Sequence, residues 1–237
     1  MGVSNMGVKV NRKFLWLAIV PMLTTNILAT TQVKMIIGGN EIVYEKESEV
    51  DCTGFFLGDN MKHYSQWDTG EYANINCGPT SVKMLGSYFE KDLSVESMNS
   101  YINPYEYGYY VSNIESMLEK YGVEYSRGYF VQTSDGTIKV SNLVDYIDKK
   151  HIMLLAINTS SISTRNTYET DNFKSTVGRT YTGDFNHFVI CTGYIIVNEV
   201  TYFQILDPLE TGYTYIDANE LVKGIASNWK GCLVFNK

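Results

Sequence analysis

Three histidines and four cysteines are all that this 237-residue chain offers for metal or thiol chemistry. The cysteines stand at 52, 77, 191 and 232, far apart, and none forms a Cys-x-x-Cys pair. That spacing excludes the usual zinc sites and a dense disulfide framework. The chain has no glycine-rich phosphate loop, no run of lysine and arginine, no low-complexity tract and no internal repeat. A formal charge of −7 without a basic stretch excludes ordinary nucleic-acid binding. No cysteine is placed for lipid attachment, and the hydroxyl residue that myristoylation takes at position six is replaced by Met6. Nothing in the composition implies a metal or an organic cofactor.

What is present describes one substantial globular domain with a short appendage. Hydrophobic residues make up 44% of the chain and aromatics 14%, enough for a well-filled core. The nineteen tyrosines suit a groove as much as a core. Lys9, Arg12 and Lys13 precede an apolar stretch from Phe14 to Ala29, the layout of a secretory signal peptide cut after Ala29. A retained anchor is the competing reading, but the stretch is short for one and is broken by Pro21, Thr24, Thr25 and Asn26. The protein is therefore expected to be secreted or extracytoplasmic, touching the membrane only transiently through residues 1–29. Export would permit a disulfide among Cys52, Cys191 and Cys232, with no pairing favoured.

Along the chain, two short strands flank a Gly38-Gly39-Asn40 turn, and residues 45–60 read as loop. Val82, Leu85, Tyr88 and Phe89 share a helical face. A second helix is expected from Ser94. In a third, Ile114, Met117, Leu118 and Tyr121 share a face and Gly122 is the stop. A helix in "SNLVDYIDKK" leads to the strand "IMLLAIN". Residues 159–184 are polar and aperiodic, and too long for an ordinary connection. The strands "HFVICTGYIIV" and "TYFQILDP" follow, then a helix at "DANELVKGIA" and a closing strand "CLVF". Helices lead and strands follow, an α+β pattern.

The chemistry gathers at "NCGPTSVKML". Cys77 stands at a helix start, where unpaired N–H groups and the positive end of the dipole favour thiolate over thiol. Pro79 suits the first turn, since its missing N–H would have no partner there, and Gly78 is expected to leave the approach to sulfur open. Cys77 could equally be a small hydrophobe that precedes a helix. A thiolate nucleophile needs a base and a group to orient it. His63 and His151 are explained by surface or boundary positions, whereas His187 opens a strand directly after the polar segment. Asp207 ends the next strand; if the two strands pair antiparallel, these side chains are neighbours. A turn with Pro208 is the plainer account of Asp207. Gln66, eleven residues before Cys77, is within reach as a donor to an oxyanion.

"SQWD", "CGPTSVKML", "HFVICTGY", "ILDP" and "NWKGCLVF", in this order, resemble the stand-alone branch of the bacteriocin-processing cysteine peptidases, which are papain-like enzymes. The resemblance runs from about residue 60 to the C-terminus. It implies a papain-like α+β fold, with a helical first half packed on a mainly antiparallel sheet from the second. It divides the chain into residues 1–29 as signal, 30–59 as an N-terminal extension and 60–237 as the peptidase domain, with a long polar loop at 159–184. It makes Cys77 the nucleophile, His187 the base and then acid, Asp207 the orienting carboxylate and Gln66 an oxyanion donor. The implied activity is hydrolysis of peptide bonds in a peptide or protein substrate. An acyltransferase, transpeptidase or deamidase using the same site is the alternative, and an inactive secreted binding module the second. Relatives cut after Gly-Gly pairs, so self-processing at Gly38-Gly39 is conceivable, though a hairpin turn explains that pair more simply. The 159–184 loop is expected to border the cleft and to limit access.

Overall fold

The computed structural model describes residues 33–37, 40–44, 52–58, 60–104, 108–170, 173–210 and 212–236. The signal segment and Gly38-Gly39 lie outside these residues. The strands around that pair, β1 (Val33–Ile37) and β2 (Asn40–Tyr44), form the expected antiparallel hairpin, with Ile37 opposite Asn40.

The body of the protein is a seven-stranded antiparallel sheet. Its strands are β3 (Cys52–Phe56), β4 (Ser126–Tyr129), β5 (Ile152–Asn158), β8 (Asn186–Val197), β9 (Val200–Leu206), β10 (Tyr213–Asp217) and β11 (Gly231–Phe235). Six run in the order β10-β9-β8-β5-β11-β4. Strand β8 is long enough to take two partners on one side: β5 along Asn186–Cys191 and β3 along Gly193–Val197.

Side-chain alternation on these strands builds two cores, because successive residues of a strand point to opposite faces. Ile152, Leu154 and Ala156 of β5 face one way, with Phe188 and Ile190 of β8. Met153, Leu155 and Ile157 face the other, with Val189 and Cys191. On the first face lie α1 (Cys77–Tyr88), α2 (Val95–Tyr101) and α3 (Val111–Lys120). On the second lie α4 (Val140–Asp148) and α5 (Ala218–Ala226), whose Leu143, Ile147, Leu221 and Ile225 are fully buried.

Helix starts and stops follow local chemistry. Ser94 caps α2 by accepting the Ser97 N–H, and Asp217 caps α5 through the N–H groups of Asn219 and Glu220. Beyond α3, Gly122 takes a left-handed φ of 63°, which ends the helix where the sequence placed the stop.

Three stretches differ from expectation. Within 45–60, residues 52–56 form β3 rather than loop. The 159–184 segment is no featureless loop. It holds an antiparallel hairpin of β6 (Arg165–Thr170) and β7 (Phe173–Gly178), which among the described residues pairs only with itself. Its base is tied to α5, where the Glu220 carboxylate accepts the N–H groups of Ser163 and Thr164 at 2.9 and 2.8 Å. Strands β4 and β10 were not foreseen at all.

Candidate active site

Cys77 opens α1, with Asn76 as the preceding cap residue. The helix is buried along most of its length; Gly78, Pro79, Thr80, Ser81, Val82, Met84, Leu85 and Gly86 are all out of solvent. Burial on nearly every side fixes the helix against the sheet, and its N-terminus delivers the Cys77 sulfur to the end of β8. Gly78 serves this packing rather than access. A Cβ there would stand 2.6 Å from Ile114 Cδ1 of α3, so glycine is what lets the two helices close.

His187 opens β8 and is 2% exposed; Asp207 follows β9 and is completely buried. The antiparallel pairing of β8 with β9 brings strand start and strand end together, as the sequence suggested. His187 Nε2 donates to Asp207 Oδ1 at 2.7 Å, which leaves the other ring nitrogen for Cys77, whose sulfur is near enough to favour the charged ring. Burial alone would strip the imidazole of its proton. The Asp207 charge and hydrogen bond, with the contact to Cys77, outweigh it and raise the His187 pKa from 6.5 to about 10. Burial would likewise raise the Asp207 pKa. The His187 charge, the bonds from His187 and Tyr181, and the Leu209 N–H instead lower it from 3.8 to about 2. Both shifts describe an ion pair out of contact with water.

Gln66 lies in a single 3-10 turn, Gln66–Asp68, and is 2% exposed. Its Nε2 donates to the Ala73 carbonyl at 2.8 Å, which orients the amide, and its backbone N–H reaches Pro208 O at 2.9 Å. An amide nitrogen carries two N–H groups, so one remains for another acceptor. The turn is joined to the start of α1 through Thr69: Asn76 Nδ2 donates to Thr69 Oγ1 at 2.9 Å, and that hydroxyl donates to Gln66 O at 2.5 Å.

Several residues at the site had no sequence signal strong enough to find them. Tyr181 donates its O–H to Asp207 Oδ2 at 2.6 Å, and Arg179 stands 3.8 Å from the same oxygen. Their nearness to His187 in "RTYTGDFNH" was the only hint. His63, read as a residue at a surface or boundary position, is half-buried and donates from Nε2 to the Asp207 backbone carbonyl at 2.9 Å. Phe185 and Tyr181 place ring edges against His187, each with centroids 5.9 Å away. Tyr109, half-buried, has its hydroxyl pKa raised by burial first and then by its neighbours Tyr72 and Cys77. Next to the Gln66 turn a cavity of about 950 Å³ is lined by Asp68, Glu71, Tyr72, Lys83, Asp92 and Glu96 among others.

The remaining candidates stand apart. Cys191 and Cys232 are free, buried thiols whose pKa burial pushes up to about 12. His151 packs against Tyr146, away from this cluster. No group of side chains that could hold a metal ion occurs among the described residues.

A half-buried cysteine at a helix N-terminus, a histidine and a carboxylate on adjacent strands, and a glutamine ahead of the cysteine thus meet in an α+β fold of the papain-like class. Residues 59–232 match the Peptidase_C39 like family, and the chain belongs to that family. Among solved structures it is similar to a protein of Bacillus anthracis described as a C39-like peptidase. The sequences are 15% identical, 78% of this chain and 98% of that one are covered, and the TM-score is 0.53. It is also similar to digestive procathepsin L 3 from the larval midgut of Tenebrio molitor, at 16% identity, 80% and 70% coverage and a TM-score of 0.47. No curated protein matches the sequence.

Proposed function

We propose that the protein is an exported cysteine peptidase that hydrolyses peptide bonds with Cys77, His187, Asp207 and Gln66. The observation that carries this reading is the grouping of a half-buried Cys77 with the buried His187 ring and the buried Asp207, the last two joined by the 2.7 Å bond. An imidazole that keeps its proton through neutral pH gives the sulfur a cationic neighbour, and such a neighbour favours thiolate.

In the proposed cycle the thiol proton already resides on His187, and the thiolate sulfur attacks the peptide carbonyl carbon. The carbonyl π electrons move onto oxygen, where the Cys77 N–H and the uncommitted N–H of Gln66 donate to the oxyanion. His187 returns its proton to the nitrogen as the C–N bond breaks, and the amine leaves. A water, deprotonated by His187, then attacks the thioester, and cleavage of the C–S bond frees the acid and the thiol. The acidic lining of the neighbouring cavity, with a chain charge of −7, favours neutral or basic peptides.

The test is digestion of a mixed peptide library with products identified by mass. Wild-type protein is expected to shorten peptides and Cys77→Ala to lose turnover altogether. Asp207→Ala should lose less, since the ring keeps its chemistry without its orientation. Conversion of side-chain amides to acids without chain shortening would contradict peptide-bond cleavage. For export, the mature protein is expected to begin at Thr30, and N-terminal sequencing that returns Met1 would contradict it.

A further inference from the structure

We propose that Tyr181 and Arg179 are positioning residues that fix the plane of the Asp207 carboxylate, and through it the ring of His187. They act from the segment that leaves the β6–β7 hairpin. The inference rests on the peptidase reading of the same site.

A carboxylate held through one oxygen can still turn about its Cβ–Cγ bond. Asp207 Oδ1 accepts from His187 Nε2 at 2.7 Å and from the Leu209 N–H at 2.8 Å. Both bonds sit on that one oxygen. Tyr181 supplies a donor to Oδ2 at 2.6 Å, so both oxygens are claimed and rotation is stopped. Without it Oδ2 would have no donor at hydrogen-bond distance inside a completely buried site, a costly arrangement for a charged group. The aim of the hydroxyl is itself set by packing: Tyr181 is 8% exposed and lies edge-on to His187 and Phe185. Burial, and after it the Asp207 charge, hold its pKa well above 10, so it remains a donor.

Arg179 completes the brace. Its guanidinium lies 4.4 Å over the Tyr181 ring, and its Nη1 pairs with Glu210 at 2.6 Å, three residues beyond Asp207. At 3.8 Å from Oδ2 its Nε supplies charge rather than a hydrogen bond. The segment 179–181 and the turn 207–210 are thus joined at two points. The charged and titratable groups facing Asp207 are His187, Tyr181 and Arg179, with Glu210 behind the arginine and His63 on the backbone carbonyl. The other end of the segment is fixed as well, since Thr180 Oγ1 donates to Ser163 O at 2.9 Å beside the Glu220 tie. In this account the hairpin carries a strut for the site.

Tyr181→Phe keeps the ring and removes only the hydroxyl. It is expected to lower kcat about tenfold with KM nearly unchanged, and to raise the pH at which the Asp207 carboxyl carbon titrates by about one, followed by carbon-13 NMR. Arg179→Met should lower kcat as well, and Arg179→Lys, which keeps the charge, should restore most of it. The titration needs no substrate, so it judges the brace even if the wild-type protein cleaves nothing, a result that would end the peptidase reading alone. Asp207 titrating in Tyr181→Phe as it does in the wild type would overturn the brace.

Discussion

The residue that carries the most weight is Asp207, a carboxylate with no exposure, one protonated imidazole and three further polar partners. Burying an unpaired charge costs several kcal/mol, and pairing it with good geometry offsets that cost. The pair therefore ties stability to pH in a definite direction. The His187 pKa is raised from 6.5 to about 10, so its contribution is complete below 6.5 and is lost as pH rises through 10. The Asp207 pKa is lowered from 3.8 to about 2, so its contribution is present above 3.8 and lost as pH falls through 2. Denaturant unfolding from pH 6 to pH 10 should show the wild type losing a few kcal/mol, about the value of a broken buried pair. Asp207→Asn should flatten that decline; an unchanged slope would mean that the two groups are not ionised together. At this scale Gln66 was singled out only by its reach to Cys77 and by the family resemblance, while Cys77, His187 and Asp207 were legible because each sits at a sequence boundary, a helix start, a strand start or a strand end. Tyr181, Arg179 and His63 were not. Their roles depend on the path of the segment that carries them, and no local pattern records that path.

Among the elements, α1 is the one whose placement decides the site. Its depth depends on Gly78, since a methyl there meets Ile114 Cδ1 at 2.6 Å. Gly78→Ala is expected to cost about 1–3 kcal/mol by overpacking. Ile114→Val, which removes the clashing atom, should recover part of the loss in a double-mutant cycle followed by thermal unfolding. Purely additive losses would place the strain elsewhere. The helices were legible because their apolar residues recur at helical spacing, and β5, β8 and β9 because they are nearly continuous apolar runs. The missed strands are short and mixed in polarity. "SRGY" of β4 is an edge strand with mostly exposed positions, and "YTYID" of β10 edges the sheet at the other side. The β6–β7 pair looked like loop because a two-stranded ribbon outside the main sheet needs no apolar alternation.

On the scale of the whole molecule, the chain order does not follow the sheet order. β11, from the last residues, lies between β5 and β4. Its Leu233 and Phe235 enter one core and its Cys232 and Val234 the other. The site is assembled from pieces more than a hundred residues apart, Gln66 and Cys77 on one side and His187 and Asp207 on the other, so it exists only when the sheet is complete. Truncation after Lys230 should therefore abolish cooperative unfolding as well as activity, and a truncated chain that still melted cooperatively would contradict the interior role of β11. Self-processing at Gly38-Gly39 is tested by intact mass of the wild type against Cys77→Ala, where identical N-termini would exclude it.

The central claim is that Cys77 is a nucleophile made reactive by His187. Brief treatment with iodoacetamide at pH 6, with the adduct located by mass, tests it in wild type and in His187→Gln, a change that keeps a donor for Asp207. The account predicts rapid modification at Cys77 and none at the buried Cys191 and Cys232, with the rate at Cys77 falling at least about tenfold in the variant. Equal rates in the two proteins would show that the histidine does not activate the sulfur, and the peptidase assignment would fall.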